Sequence, residues 1–233
     1  MKNYIFGYPN LFVYQDDDLF KMSLDSVLLA NFVSIKNKGN ILDIGTGNIP
    51  IPLILSTKTD AKILGIEIQK KIYECAIKTL ELNQNKNIDI INGDIKDLYN
   101  NIESDSFDTI VSNPPYFKVT KNLNEKDELA IARHEICLNV QNVIEISKKL
   151  LKNGGNLAIV IRPDRLIEII ETMKKNNIEP KRLQFVYPKK GKESNIMLIE
   201  GTKNGKSGIK VLDPIYVYDE NNEYSKELME YIR

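Results

Sequence analysis

The sequence predicts an α/β protein with a doubly wound, mostly parallel sheet of seven strands and an antiparallel hairpin at one edge. Three observations point there. Short apolar runs alternate with stretches whose apolar residues recur at helical spacing, the pattern of βαβ units. Several runs end in turn chemistry, at Gly45-Thr46-Gly47, Gly93-Asp94 and Asn113-Pro114. Two late runs, 182–187 and 196–200, are joined by a lysine- and glycine-containing loop with no helix between them, as in a hairpin.

Residues 23–36 read as a helix with Leu24, Val27, Leu28, Ala30 and Phe32 on a broad apolar face. Residues 41–44 form a short buried strand that runs into Gly45-Thr46-Gly47-Asn48. Pro50 and Pro52 fall in the first turn of the next helix, where a missing N–H costs least. The second strand covers 61–66 and closes at Glu67; Ile72, Ala76 and Leu80 then mark one helix face at i, i+4, i+8. The third strand is 88–91 and the fourth 107–112, where apolar and small polar residues alternate. Val140, Val143, Ile144, Ser147, Leu150 and Leu151 stripe a helix stopped at Asn153-Gly154-Gly155. Residues 157–161 are the fifth strand, Leu166, Ile169, Ile170 and Met173 mark another helix, and 209–217 is a further extended segment. With no repeat and no low-complexity linker, one domain over 1–233 is expected. It divides into an N-terminal extension and helix (1–38), a core (39–201) and a C-terminal segment (202–233).

Asn113-Pro114-Pro115-Tyr116 carries the most chemistry. Two prolines stiffen the turn and hold it out of helix. Rigid turns at the carboxyl ends of strands are where open α/β sheets bind ligands. A side-chain oxygen on Asn113, the Pro114 carbonyl and the Tyr116 ring together suit a planar ring bearing an exocyclic amine. The two oxygens accept its N–H bonds, while the aromatic face stacks on the ring, worth about 1–3 kcal/mol. Such a base has to leave its stack to reach the turn, which favours a loop or a flipped nucleotide. Residues 117–134, polar and poorly periodic, are expected to face the substrate.

Upstream lies a nucleotide-type pocket. Gly45 and Gly47 let the chain turn sharply and approach a ligand. Glu67, 20 residues beyond Gly47, can hold both hydroxyls of a ribose through charge-assisted bonds. Asp94 can accept from an adenine amine, and it reads equally as the N-cap of the segment after it. The layout also occurs in NAD-binding folds, but Pro50 occupies the third glycine position of that fingerprint.

Composition bounds the rest. With 42% apolar and 27% charged residues, the chain is ordinary for a globular protein. Cys75 and Cys137, the only cysteines, stand 62 positions apart without metal-ligand spacing, which argues against a disulfide scaffold or a metal site. No apolar run reaches the ~20 residues that span a bilayer. A cytoplasmic, monomeric protein without membrane attachment is expected. The 32 basic and 32 acidic residues cancel, but residues 181–210 hold eight basic residues against Glu193 and Glu200. That +6 suits phosphate binding or a solvated surface.

The order of glycine loop, strand-two acid, strand-three Asp and Asn-Pro-Pro-Tyr resembles the S-adenosylmethionine-dependent amino-methyltransferases. Asp25-Ser-Val-Leu-Leu-Ala30, Ala132-Arg-His-Glu135, Ile161-Arg-Pro163, Pro180-Lys-Arg182 and the 209–218 segment look more narrowly like the bacterial valine-tRNA adenine-37 N6-methyltransferase family. The resemblance implies a Rossmann-like class I methyltransferase fold, S-adenosylmethionine as cofactor and tRNA as partner. It implies cofactor binding by Asp43, Gly45, Gly47, Glu67, Asp94, Asn113 and Asp25. Asn113, Pro114 and Tyr116 become the catalytic set, and Pro115, Tyr116, Arg133, Lys189 and Lys190 the substrate contacts. His134 is read as orienting the loop or contacting RNA. Ile49 takes the place of the third loop glycine of such enzymes.

Two other readings share the pocket. A protein glutamine N5-methyltransferase expects a recognition domain ahead of the cofactor domain, where 40 residues precede Ile41. A non-catalytic RNA-binding module does not require the intact Asn113 turn and Glu67.

Overall fold

The computed structural model describes residues 2–15, 23–84, 87–114 and 139–232. A hairpin of β1 (Lys2–Ile5) and β2 (Tyr8–Tyr14) precedes α1 (Leu24–Phe32). There follow β3 (Asn40–Ile44), α2 (Pro50–Ser56), β4 (Lys62–Glu67), α3 (Lys70–Asn83), β5 (Ile88–Asn92), the short α4 (Ile95–Leu98) and β6 (Phe107–Ser112). Then come α5 (Val140–Leu150), β7 (Leu151–Ile161), a 3-10 turn at Pro163–Arg165, α6 (Leu166–Lys175), β8 (Ile178–Tyr187) and β9 (Ile196–Lys203). β10 (Lys210–Val211), β11 (Ile215–Tyr216) and α7 (Lys226–Tyr231) complete the described chain.

The main sheet has the order β10–β8–β9–β7–β6–β3–β4–β5, with β11 also beside β8. β3 to β7 pair in parallel, and β9 runs antiparallel between β7 and β8. β8 therefore points the same way as β7, and its C-terminus reaches the same rim as the ends of β3 to β6. The seven long strands are the seven expected. The 209–217 segment becomes two short strands parallel to β8, with Pro214, which has no N–H for a ladder, between them.

Strand alternation sorts the core into two layers. On β7, Ala158 and Val160 join α1, α2 and α7 on one face; Leu157, Ile159 and Ile161 join α5 and α6 on the other. The same split separates Leu198 from Met197 and Ile199 on β9. Both faces of the sheet are thus covered by helices, which is why its central strands read as nearly continuous apolar runs.

Three local expectations change. The N-terminal extension contains a hairpin, turned at Gly7 (φ +80°) and docked on α3. Asn83 accepts the Phe12 N–H (2.9 Å) and donates to the Phe12 carbonyl (2.7 Å), as a neighbouring strand would, and Thr79 Oγ1 accepts the Tyr14 N–H (2.8 Å). The helix expected over 23–36 stops at Phe32. Buried Glu200 accepts the Ser34 N–H (2.6 Å) and Ser34 hydroxyl (2.8 Å), and Arg182 Nη1 donates to the Phe32 carbonyl (2.9 Å). The Asn153-Gly154-Gly155 stretch lies within β7, which begins at Leu151 as soon as α5 ends; an irregularity moves the β6 partner from Leu151 to Asn156 between Phe107 and Thr109. No helix among the described residues is long and apolar enough to cross a membrane.

Candidate active site

Four parallel strands end at one rim, cross-tied by their own turns. The Gly45 and Thr46 N–H groups both donate to the Ile66 carbonyl (2.9 and 3.0 Å), joining the β3 turn to β4. The Gly93 N–H donates to the Glu67 carbonyl (3.0 Å), joining the β5 turn to β4. Ser112 Oγ donates to the Ile44 carbonyl (2.7 Å), joining β6 to β3. The candidate residues are carried on this rigid edge.

Gly45 (φ +74°), Gly47 (φ +59°) and Ile49 (φ +62°) all take left-handed backbone. Ile49 therefore keeps the path a glycine would follow, at a cost of about 1–2 kcal/mol for an L side chain. Its own side chain is fully buried in the core, which offsets that strain. Space beside the loop is arranged from β4, because a Cβ on Gly65 would meet Thr46 Cγ2 at 2.8 Å. On the other side, a Cβ built on Gly47 meets nothing within 4 Å, so the loop shows bare backbone to an open face.

Asp43 is fully buried at the end of β3. Its Oδ2 accepts from Thr46 Oγ1 (2.7 Å), while Oδ1 is buried with no hydrogen-bond partner among the described residues. Burial pushes the carboxyl up to about 7; the Thr46 hydroxyl opposes the rise and the nearby Glu67 charge adds to it. Glu67, 5% exposed, accepts the Gly47 N–H at Oε2 (3.0 Å) and the Gln69 N–H at Oε1 (2.8 Å). The carboxyl is thus held in one orientation by two backbone donors.

Asp94 caps α4: Oδ1 accepts the Lys96 N–H (2.9 Å), and Lys96 Nζ lies 3.5 Å from Oδ2. The capping role foreseen for it is present, on the same rim as Glu67. Asn113 stands just beyond β6, and its Nδ2 donates to Ser26 Oγ on α1 (3.1 Å). Pro114 beside it is buried. Asp25, the neighbour of Ser26, has its carboxyl raised by burial, partly offset by a backbone hydrogen bond. The α1 N-terminus therefore lies against the Asn113 turn; the sequence reading grouped Asp25 with Asn113 but missed Ser26 as the residue that bonds it. Its only signal was a serine inside the Asp25-Ser-Val-Leu-Leu motif.

Pro115, Tyr116, Arg133 and His134, and the whole 117–134 segment, lie outside the described residues. Lys189 and Lys190 follow β8 on the site's rim, near Tyr216 and Tyr218. The basic 181–210 segment is not one patch. Arg182 binds Glu200 (3.1 Å), Lys203 binds Asp105 (2.7 Å) and the Leu151 carbonyl (2.7 Å), and Lys210 pairs with Arg182 along β8, all away from that rim. Only Lys189, Lys190 and Lys192 of the eight belong to the loop on the site's side. Among the described residues, no group of His, Cys, Asp and Glu is placed to hold a metal ion.

Known proteins resemble this chain in sequence and in fold. The family model for the methyltransferase small domain matches residues 13–179. A Bacteroides fragilis protein named tRNA1(Val) (adenine(37)-N6)-methyltransferase is 28% identical over 99% of this chain and 98% of its own. A Porphyromonas gingivalis protein of the same name is 34% identical over 71% of this chain and 68% of its own. Among solved structures, a predicted O-methyltransferase of Agrobacterium tumefaciens superposes with a TM-score of 0.71 at 18% identity, over 89% of this chain and 96% of that one. A class I S-adenosylmethionine-dependent methyltransferase of Listeria monocytogenes gives 0.59 at 15% identity, over 90% and 69%. These two likenesses speak to the fold. The family model covers the strands, the loop and the Asn113 turn described above, so the chain belongs to the methyltransferase small domain family and is a methyltransferase.

Proposed function

We propose that this protein transfers a methyl group from S-adenosylmethionine to the exocyclic N6 amine of an adenine in tRNA, adenine 37 of a valine tRNA. The observation that carries the reading is the placement of Asn113 on the rim that also holds the glycine loop and Glu67. The names of relatives matched over nearly their full length support the choice of acceptor.

The pocket fits the cofactor. Gly47 presents open backbone, Glu67 is preoriented by two N–H donors, and Asp43 holds a buried oxygen with no partner among the described residues. Asp43, Gly45, Gly47, Glu67, Asp94 and Asp25 would hold it, with Glu67 accepting from the ribose hydroxyls and Asp94 from the adenine amine. When bound, S-adenosylmethionine supplies an electrophilic methyl group on a sulfonium.

The chain's own task is to prepare the acceptor. An adenine N6 lone pair is delocalised into the ring and is a poor nucleophile. Asn113 Oδ1 and the Pro114 carbonyl accept the two N–H bonds, drawing the nitrogen toward tetrahedral geometry and freeing its lone pair. Tyr116 and Pro115 hold the ring plane, and Arg133, Lys189 and Lys190 contact the RNA backbone. Positioning carries most of such a reaction. As the N–C bond forms, the S–C bond would break to leave a neutral thioether. The methylated nitrogen, acidified by its positive charge, loses one proton to water, so no strong general base is required. Incubating the protein with labelled cofactor and a valine tRNA transcript, a release-factor-like protein or duplex DNA tests the choice of acceptor. Label in the tRNA alone is expected; label in the protein glutamine supports the competing reading.

A further inference from the structure

We propose that Ser26 is a positioning residue for Asn113, tethering the Asn113 amide to α1 in the place where it meets the substrate amine. The proposal rests on the acceptor role given to Asn113 above. An asparagine amide presents an acceptor oxygen and a two-proton donor of nearly the same shape, and rotation by half a turn about its last bond exchanges them. The difference decides the chemistry. Oδ1 facing the substrate accepts an N–H, whereas Nδ2 in the same place sets donor against donor and leaves the amine unprepared.

The structure assigns the two ends. Asn113 Nδ2 donates to Ser26 Oγ at 3.1 Å, so the donor end faces α1. Ser26 is itself firmly placed. It is 7% exposed, and it lies in the first turn of α1, next to Val27, Leu28 and Leu29, which are fully buried in the core. The two residues are 87 positions apart, so this orientation exists only once α1 has packed beside the end of β6. On the Asn113 side, Ser112 is fixed by its bond to the Ile44 carbonyl, and Pro114 restricts the backbone that follows. Both partners are therefore anchored, and the hydroxyl–amide contact is the join between the cofactor-side helix and the acceptor turn.

The substitutions Ser26→Ala and Ser26→Thr separate orientation from packing. Loss of one ordinary hydrogen bond corresponds to about tenfold in rate. Ser26→Ala is expected to lower kcat for tRNA methylation about tenfold while leaving cofactor Kd and Tm near wild type. Ser26→Thr, which keeps the hydroxyl, is expected within about twofold of wild type. Wild-type turnover in Ser26→Ala, equal loss in both variants, or loss that follows cofactor affinity or Tm overturns the proposal. Asn113→Ala measured alongside isolates the parent reading: if it stays active, the acceptor role of Asn113 fails. If it is inactive while Ser26→Ala is unimpaired, only the Ser26 proposal fails.

Discussion

Glu67 Oε2 accepts the Gly47 N–H at 3.0 Å, joining the end of β4 to the glycine loop after β3. One side chain thus ties the glycine loop to the strand end that carries the proposed ribose acceptor. Because hydrogen bonds to a charged group contribute about 1.5–3 kcal/mol each, Glu67→Ala should weaken cofactor binding by roughly 10- to 100-fold. Isothermal titration checks this; unchanged affinity would remove Glu67 from the cofactor site.

Gly65 is needed for space rather than for conformation. A Cβ there would lie 2.8 Å from Thr46 Cγ2 and 2.9 Å from Thr46 Oγ1, the hydroxyl that bonds Asp43. Gly65→Ala should therefore displace the loop, costing about 1–3 kcal/mol of stability and weakening cofactor binding with it. Chemical denaturation and titration of the same sample read both effects.

Ile49→Gly sets strain relief against lost burial. Removing the left-handed strain returns about 1–2 kcal/mol, but truncating a fully buried isoleucine costs about 2–5 kcal/mol. Burial wins, so the variant should unfold at lower denaturant concentration while its loop still binds cofactor. A more stable variant would show that the strain dominates.

Asp43 should tilt the stability of the cofactor-free protein with pH. Burial first, then the Glu67 charge, raises its folded value to about 7 from the ordinary 3.8, against the opposing Thr46 hydrogen bond. The folded state then holds a proton that the unfolded chain has released. Its contribution is full below about pH 4 and is lost as pH rises toward 7. Asp43→Asn, which keeps the shape without the charge, should flatten that slope and melt higher than wild type at pH 8. Parallel Tm–pH profiles would contradict this.

Much of this was legible in the sequence because local chemistry fixed it. Gly45 and Gly47 mark a loop that needs positive φ, Pro50 marks a helix start, and the apolar runs of β3, β6 and β7 mark strands buried on both faces. What was hidden depends on distant partners. α1 ends at Phe32 because Arg182 and Glu200, from β8 and β9, satisfy its end, and no residue within 23–36 announces them. The N-terminal hairpin is held by Asn83 imitating a strand. The basic 181–210 segment looks continuous in the chain, yet its antiparallel strands carry Lys189, Lys190 and Lys192 to one end of the sheet and leave Arg182, Lys203 and Lys210 toward the other. The placement of Asn113 and Glu67 at strand ends was readable from motif order, whereas the Ser26–Asn113 bond exists only in three dimensions.

The central claim is methyl transfer to adenine N6 with Asn113 as acceptor of the amine protons. Its most direct test is nucleoside mapping of a valine tRNA after incubation with S-adenosylmethionine and either wild-type protein or Asn113→Ala. N6-methyladenosine at position 37 is expected with wild type, and none with Asn113→Ala, whose cofactor affinity stays near wild type. Methylation at another nucleotide, or equal methylation by both proteins, would contradict it.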